Sequence, residues 1–479
     1  MKRVHIQTFG CQMNVHDSRR IEEVLSGEGY SAVDSAGEAD LVVFNTCSVR
    51  EKADHKLYSA VGTLRELKAE RPGLVVAVAG CLAQQQGEAL LSRLDLVDVV
   101  IGPDNIADLA GLVERSRDGA GPVALTEFDL DAPSFLTARG RADRSEATAY
   151  VTVMKGCDER CTYCIVPYTR GAERYRGGDE IVAEVVQLVA DGVREITLLG
   201  QTVNSWHEPG QAPAAAEEPE LARGRVVRGE SRFAELLRRI AGEVPELARL
   251  RYTSPHPRHV TTALVEAHTQ LDVLPAHVHL PVQSGSDRML KRMLRRYRRD
   301  DYIARAHALM ESRPGFTLST DIIVGFPGET DDDFEQTLTL VREVGFTSAF
   351  AFKYSPRPHT PSLALEDDVS RELKSERLAR LFEVTEAQQR AHLETLVGTR
   401  TEVLFEGPSK SSRTALSGRS SRHEIVHVEA PGHDLTGRVI DVEITQANKH
   451  SLVGEPVAAL PDAALRSPGD AQPMRLPVV

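Results

Sequence analysis

The chain has 479 residues, 41% of them hydrophobic, and a formal net charge of −13. That length is too great for one ordinary core and suits two to four domains. The negative balance gives no overall positive field to attract nucleic acid, and no apolar run reaches the roughly 18 residues of a membrane span.

The start, Met1 to Cys11, has two basic residues but no apolar stretch of signal-peptide length. A cytoplasmic chain is therefore expected, whose thiols stay reduced and whose six cysteines serve as ligands or catalysts rather than disulfides. Residues 1–116 repeat one unit three times. The β-rich runs Val4 to Phe9, Leu41 to Thr46 and Leu74 to Ala79 end at Cys11, Cys47 and Cys81, and each is followed by a helical pattern. Strands alternating with helices predict a doubly wound parallel sheet, which binds ligands beyond the carboxyl ends of its strands. Three cysteines at that edge suit a shared site better than three unrelated core thiols.

Residues 117–148 read as a polar linker. From 149 to 385 six further β/α units are expected, with strands at Tyr150–Met154, Glu195–Leu199, Leu250–Thr253, His277–Leu280, Leu318–Val324 and Ser348–Tyr354. They predict a partial TIM-type (β/α)6 barrel with its site at the carboxyl ends of the strands. Residues 207–231, rich in Ala, Pro, Glu and Gly, read as a mobile loop insertion. A charged helical stretch, Arg371 to Leu396, leads to short strands between 398 and 456 that predict a small antiparallel β-barrel. Residues 457–479 read as a loose tail.

The sharpest motif follows the first barrel strand: Cys157, Cys161 and Cys164, spaced C-x3-C-x2-C. Three thiolates on a tight loop can hold three irons of a [4Fe–4S] cluster and leave the fourth open. Zinc is the rival, but its structural sites take four ligands, and no fourth cysteine or nearby histidine completes the set. This loop and barrel resemble the radical S-adenosylmethionine (SAM) superfamily. The resemblance implies that the open iron chelates SAM, whose reductive cleavage yields a 5′-deoxyadenosyl radical. It also implies SAM contacts at Tyr163, Gly200, Gln201 and Asp321. Tyr163 fits ordinary packing equally well, and Asp321 opens the strand-and-turn segment Asp321 to Glu329.

The segments Thr8 to Asn14, Asn45 to Lys52 and Gly80 to Gln84 resemble those of the radical SAM methylthiotransferases, and the C-terminal barrel resembles their OB-like TRAM domain. The resemblance runs from residue 1 to about 456 in the family's domain order. It implies a second [4Fe–4S] cluster on Cys11, Cys47 and Cys81. Gln12-Met13-Asn14, Ser48 to Lys52, Val166 to Gly171, Leu198 to Gln201, Thr253 to Pro257 and Leu280 to Ser286 resemble one branch in particular. That branch methylthiolates C2 of N6-dimethylallyladenosine at position 37 of tRNA. One SAM would supply the methyl group and a second the radical, so both open irons must meet in one cavity. Partners implied are tRNA carrying the prenylated adenosine next to the anticodon and an electron donor such as flavodoxin or ferredoxin. The sulfur source stays open, and a monomer away from membranes is expected. His359, Arg296, Thr202 and Gly177 depart from the family's usual residues, and none is expected to touch a cysteine.

RNA binding needs local positive charge. Residues 287–299 include Arg288, Lys291, Arg292, Arg295, Arg296, Arg298 and Arg299 and carry a net charge of +6. Arg292, Arg295 and Arg296 are the candidate phosphate contacts, against the alternative of a solvated helix face. The C-terminal barrel has seven Lys/Arg and eight Asp/Glu between Gly398 and Glu455, so its RNA role rests on resemblance alone. Arg170, Glu173 and Arg176 fit either a cavity wall or structural ion pairs. The competing functions are methylthiation of a ribosomal-protein aspartate, methylthiation of threonylcarbamoyl-adenosine in tRNA, and a non-catalytic iron–sulfur protein that binds RNA or carries electrons. Passive carriers normally saturate their irons with four cysteines, which argues against the last.

Overall fold

A computed structural model of the chain describes residues 2–48, 51–130, 135–137, 146–213, 223–409, 412 and 414–460. Its first sheet contains β1 (Lys2–Phe9), β2 (Tyr30–Ala32), β3 (Leu41–Thr46), β4 (Val75–Gly80), β5 (Val99–Ile101) and β6 (Val123–Leu125). All are parallel, in the order β2-β1-β3-β4-β5-β6. Alternate residues leave on opposite faces. Leu41, Val43, Val75 and Ala77 pack with Ile21 and Leu25 of the helix Gln12–Gly27, while Val42, Phe44, Val76 and Val78 pack with Leu57 and Leu82. Burial on both faces is why β3 and β4 read as unbroken apolar runs. The strand order reverses between β1 and β3, which makes that point the crevice of the sheet.

Three strands of this sheet were not expected: β2, β5 and β6, each only three residues long. Runs that short carry no readable period. Moreover, β6 lies inside 117–148, so part of the segment read as a linker is the sixth strand of the sheet. Residues 131–134 and 138–145 of that segment lie outside the described residues.

The second unit contains β7 (Thr148–Thr152), a two-stranded ribbon of β8 (Met154–Lys155) and β9 (Arg174–Tyr175), then β10 (Glu195–Leu199), β11 (Arg249–Tyr252), β12 (His277–His279), β13 (Thr317–Val324) and β14 (Ser348–Lys353). Six of these form two parallel sheets, β11-β10-β7 and β12-β13-β14. This is the expected partial (β/α)6 barrel. Val151, Ile196, Leu198, Leu250, Val278 and Leu318 pack outward against the helices. The alternate positions are polar and bond to one another: Arg251 Nε lies 3.0 Å from Glu195 Oε1, and His279 Nε2 lies 3.4 Å from Asp321 Oδ2. Of the expected insertion 207–231, residues 214–222 lie outside the described residues.

The helix Arg371–Thr395 leads to a closed barrel of β15 (Arg400–Pro408), β16 (Ala415–Ser420), β17 (Ile425–Glu429), β18 (Val439–Ala447) and β19 (Leu452–Pro456), in the order β15-β16-β17-β19-β18. Its pairs are antiparallel except β17 with β19, which is parallel. The barrel's inner face is apolar, with Val403, Phe405, Val426, Val442 and Leu452 buried. Residues 461–479 of the expected tail lie outside the described residues. Among the described residues, no helix is long and apolar enough to cross a membrane.

Candidate functional site

The first cysteine set is assembled by strand register. β1, β3 and β4 end level with one another at Phe9, Thr46 and Gly80. Cys11, Cys47 and Cys81 follow within two residues, at the crevice where the strand order reverses. Gly80 has φ +94°, and a Cβ there would collide with Asn45 Oδ1 and the Thr46 carbonyl. Only glycine lets the chain turn so closely into the helix Cys81–Gln86. The Cys47 thiol, helped by the Asn14 backbone N–H and the Arg170 charge, holds the Cys11 thiol at about 6 against its burial. Burial raises the Cys81 thiol, and Arg170 opposes that rise. Three thiols gathered at one strand edge, one of them lowered by its neighbours, make a donor set suited to iron.

The second set sits on the loop after β8. Gly156 has φ +80°, and a Cβ there would strike the Ala172 carbonyl. Cys157, Cys161 and Cys164 follow. Burial pushes the Cys157 thiol up to about 11, and that of Cys164 further still. Cys157 Sγ lies 3.0 Å from Thr202 Oγ1. This corrects one expectation: Thr202, a departure from the family's usual asparagine, does touch a cysteine. Beside it, the Gln201 amide has both polar atoms out of solvent with no protein partner. An orphaned donor and acceptor one residue from a side chain that touches Cys157 fits a site built for a polar cofactor. Gly200 packs closely on Met154, where a Cβ would lie 2.6 Å from its Cγ.

The remaining candidates separate. Tyr163 meets Phe326 edge-on, ring centroids 6.5 Å apart, beside Met289 and Met293, which is apolar packing. Asp321 lies on the polar face of β13, paired with His279 as described. Arg176 is a structural ion pair, buried against Glu184. Glu173 accepts from Ser205 Oγ at 3.1 Å and from the Asp158 backbone N–H at 3.3 Å. Arg170 Nη2 donates to Asp17 Oδ2 at 2.5 Å, and Nε to Cys81 Sγ at 3.3 Å.

The basic run does not act as one surface. Arg295 is only 6% exposed. It donates to Cys161 Sγ at 3.4 Å, the Tyr297 hydroxyl at 3.0 Å and the Pro281 carbonyl at 3.1 Å. It therefore leaves the expected set of phosphate contacts, because the left-handed residues Leu294 and Arg296 on either side turn it inward. Arg288 pairs with Asp333, and Arg299 with Glu343. Lys291, Arg292, Arg296 and Arg298 stay exposed.

Sequence reading missed Glu159, within the cysteine loop. Its Oε1 lies 3.4 Å from His259 Nε2 and 3.8 Å from Arg258 Nη1, which ties the loop to the segment after β11. An acidic residue between two cysteines was the available signal.

Three tightly looped cysteines at the mouth of a partial (β/α)6 barrel are the arrangement of the radical SAM class. Family models agree: the radical SAM superfamily matches residues 151–341, the TRAM domain 394–457, and the family described as uncharacterized protein family UPF0004 residues 3–102. The fold is shared with the radical SAM methyltransferase TsrM from Kitasatospora setae. Its structure with cobalamin and a [4Fe–4S] cluster bound superposes with a TM-score of 0.51 and 15% identity, covering 76% of this chain and 77% of that one. With tryptophan and a SAM analogue bound, the TM-score is 0.52 at 14% identity, over 86% and 79% of the chains. In sequence, the chain is 58% identical to the tRNA-2-methylthio-N(6)-dimethylallyladenosine synthase of Sorangium cellulosum (strain So ce56), over 97% of this chain and 95% of the relative. The chain belongs to that family of synthases.

Proposed function

We propose that this chain is a transferase that methylthiolates C2 of N6-dimethylallyladenosine at position 37 of tRNA, using two [4Fe–4S] clusters and SAM. The name of its 58% identical relative supports the substrate and product. The observation that carries the chemistry is the pair of separate three-cysteine sets, each at the carboxyl end of parallel strands in a different unit. C2 of an adenine carries an unactivated C–H that no side-chain base removes usefully. When bound, the clusters and SAM supply removal of that hydrogen and a methyl-bearing sulfur; the protein supplies position, charge and exclusion of water.

In this reading Cys157, Cys161 and Cys164 hold the SAM-binding cluster, and Cys11, Cys47 and Cys81 hold the other. Gln201 and Gly200 line the SAM site, where the unpartnered Gln201 amide is able to bond the polar end of SAM. Asp321 and His279 present polar groups on the barrel's inner face. Arg292 and Arg296, with exposed Lys291 and Arg298, meet tRNA phosphates. The reading places a monomer in the cytoplasm with a flavodoxin- or ferredoxin-type electron donor. For the compartment, its support is six cysteines in the thiol form, which suit a reducing environment.

The test is nucleoside analysis of tRNA from cells lacking the gene. Loss of the 2-methylthio group with accumulation of the prenylated adenosine is expected. An unchanged tRNA profile would sink the assignment.

A further inference from the structure

Each cysteine set faces one buried guanidinium, and the two are placed differently. Arg295 reaches Cys161 from within its own barrel and has no carboxylate among its hydrogen-bond partners there. Arg170 ends the short helix Val166–Arg170, which directly follows the barrel's cysteine loop, yet it points across to the other unit. Its Nε donates to Cys81 Sγ at 3.3 Å, while Nη1 and Nη2 reach the two oxygens of Asp17 at 3.4 and 2.5 Å. Asp17 lies on the helix that starts directly after Cys11. Both side chains are buried, 5% and 8% exposed. The Arg170 carbonyl accepts from Arg174 Nη2 at 2.7 Å, and Arg174 Nη1 donates to Asp104 of the first unit at 2.5 Å.

An ordinary interdomain ion pair would be complete with the Arg170 fork on Asp17. Here the third N–H direction of the same guanidinium is aimed at a cysteine sulfur. A hydrogen bond from a charged donor to a ligand sulfur raises a cluster's reduction potential, because it favours the form with more negative charge on sulfur. Asp17 does the reverse, since it cancels part of the charge that Cys81 feels. We infer that Arg170 is a positioning residue that joins the two cluster units, and that the Asp17–Arg170 pair sets the reduction potential of the N-terminal cluster. The inference rests on the proposed ligand role of Cys81.

Opposite signs make it testable. Anaerobically reconstituted full-length protein is titrated electrochemically, with both clusters followed by electron paramagnetic resonance. Arg170→Gln should move the N-terminal cluster to a more negative potential, and Asp17→Asn should move it to a more positive one. Arg170→Lys, which keeps the charge but cannot fork, should fall between Arg170→Gln and the wild type. The barrel cluster, which faces Arg295 instead, should keep its potential in all three and serves as the internal reference. If Arg170→Gln fails to fold, Asp17→Asn and Arg170→Lys still decide. Potentials that do not move, or that move in the same direction for Asp17→Asn and the Arg170 variants, overturn the inference. Wild-type protein holding only about four irons would instead overturn the ligand role of the N-terminal cysteines, and the iron count keeps that failure distinct from the first.

Discussion

Thr202 shows how one hydroxyl can matter at a cysteine buried this deeply. Burial pushes the Cys157 thiol up and the Thr202 contact at 3.0 Å opposes that push, with the balance at about 11. Thr202→Val keeps the shape and removes the hydroxyl. Iron content should stay at wild-type level, while the barrel cluster shifts to a more negative potential and the N-terminal cluster does not. The same redox titration reads both. The basic run divides at the same scale. Replacing exposed Arg292 and Arg296 by Glu should weaken tRNA binding and flatten its salt dependence. Each lost phosphate contact removes roughly 0.9 from the log–log slope for duplex nucleic acid. Arg295→Gln should leave that slope alone and instead disturb the cluster proposed at Cys161, whose sulfur it touches. Equal salt slopes for wild type and the Arg292/Arg296 variant would return those residues to a solvated face.

Strand ends carry the three cysteines of the first set, proposed above as cluster ligands, so that set should behave as a unit. A Cys11/Cys47/Cys81→Ala variant should keep about half of the roughly eight irons expected for two cubane clusters and still cleave SAM to 5′-deoxyadenosine. It should transfer no methylthio group to prenylated tRNA. Intact methylthiation by that variant would make these cysteines structural. The convergence of these residues was legible in the sequence because β3 and β4 are buried on both faces and end abruptly at Thr46 and Gly80, each one residue before a cysteine. Long parallel strands with a cysteine at the end announce themselves. Three-residue strands such as β2 and β5 do not, and β16 hides behind Gly418, where a Cβ would meet the Leu404 carbonyl. The contacts of Arg170 and Arg295 were not legible either. Their sulfur partners lie 89 and 134 residues away, and a chain read locally shows two charges where the fold makes two sulfur contacts.

Across the whole molecule, the C-terminal barrel is fastened to the second unit by its β16–β17 turn. Arg249 Nη1 donates to the Arg419 carbonyl at 2.7 Å, and Arg251 donates to the carbonyls of Ser420 and Ser421 at 3.0 and 3.2 Å. The rings of His277 and His423 stack with centroids 5.4 Å apart. Glu424, next in the turn, accepts from His392 Nε2 at 2.8 Å and Arg422 Nε at 3.0 Å, and also from Ser420. Because His392 belongs to the helix Arg371–Thr395, this carboxylate joins helix and barrel. Burial would push Glu424 up, but these partners hold it at about 2, below its ordinary value of 4.5. A carboxyl lowered on folding adds stability that is complete above pH 4.5 and lost as the pH falls toward 2. The shift corresponds to about 3 kcal/mol. Glu424→Gln should therefore be less stable than wild type at pH 6, and the gap should close as the pH falls toward 2. Urea unfolding of the cluster-free chain, followed by circular dichroism across that range, measures it without acid acting through cluster loss. Parallel stability curves for the two proteins would mean that ionisation of this carboxylate contributes nothing to holding the C-terminal barrel in place.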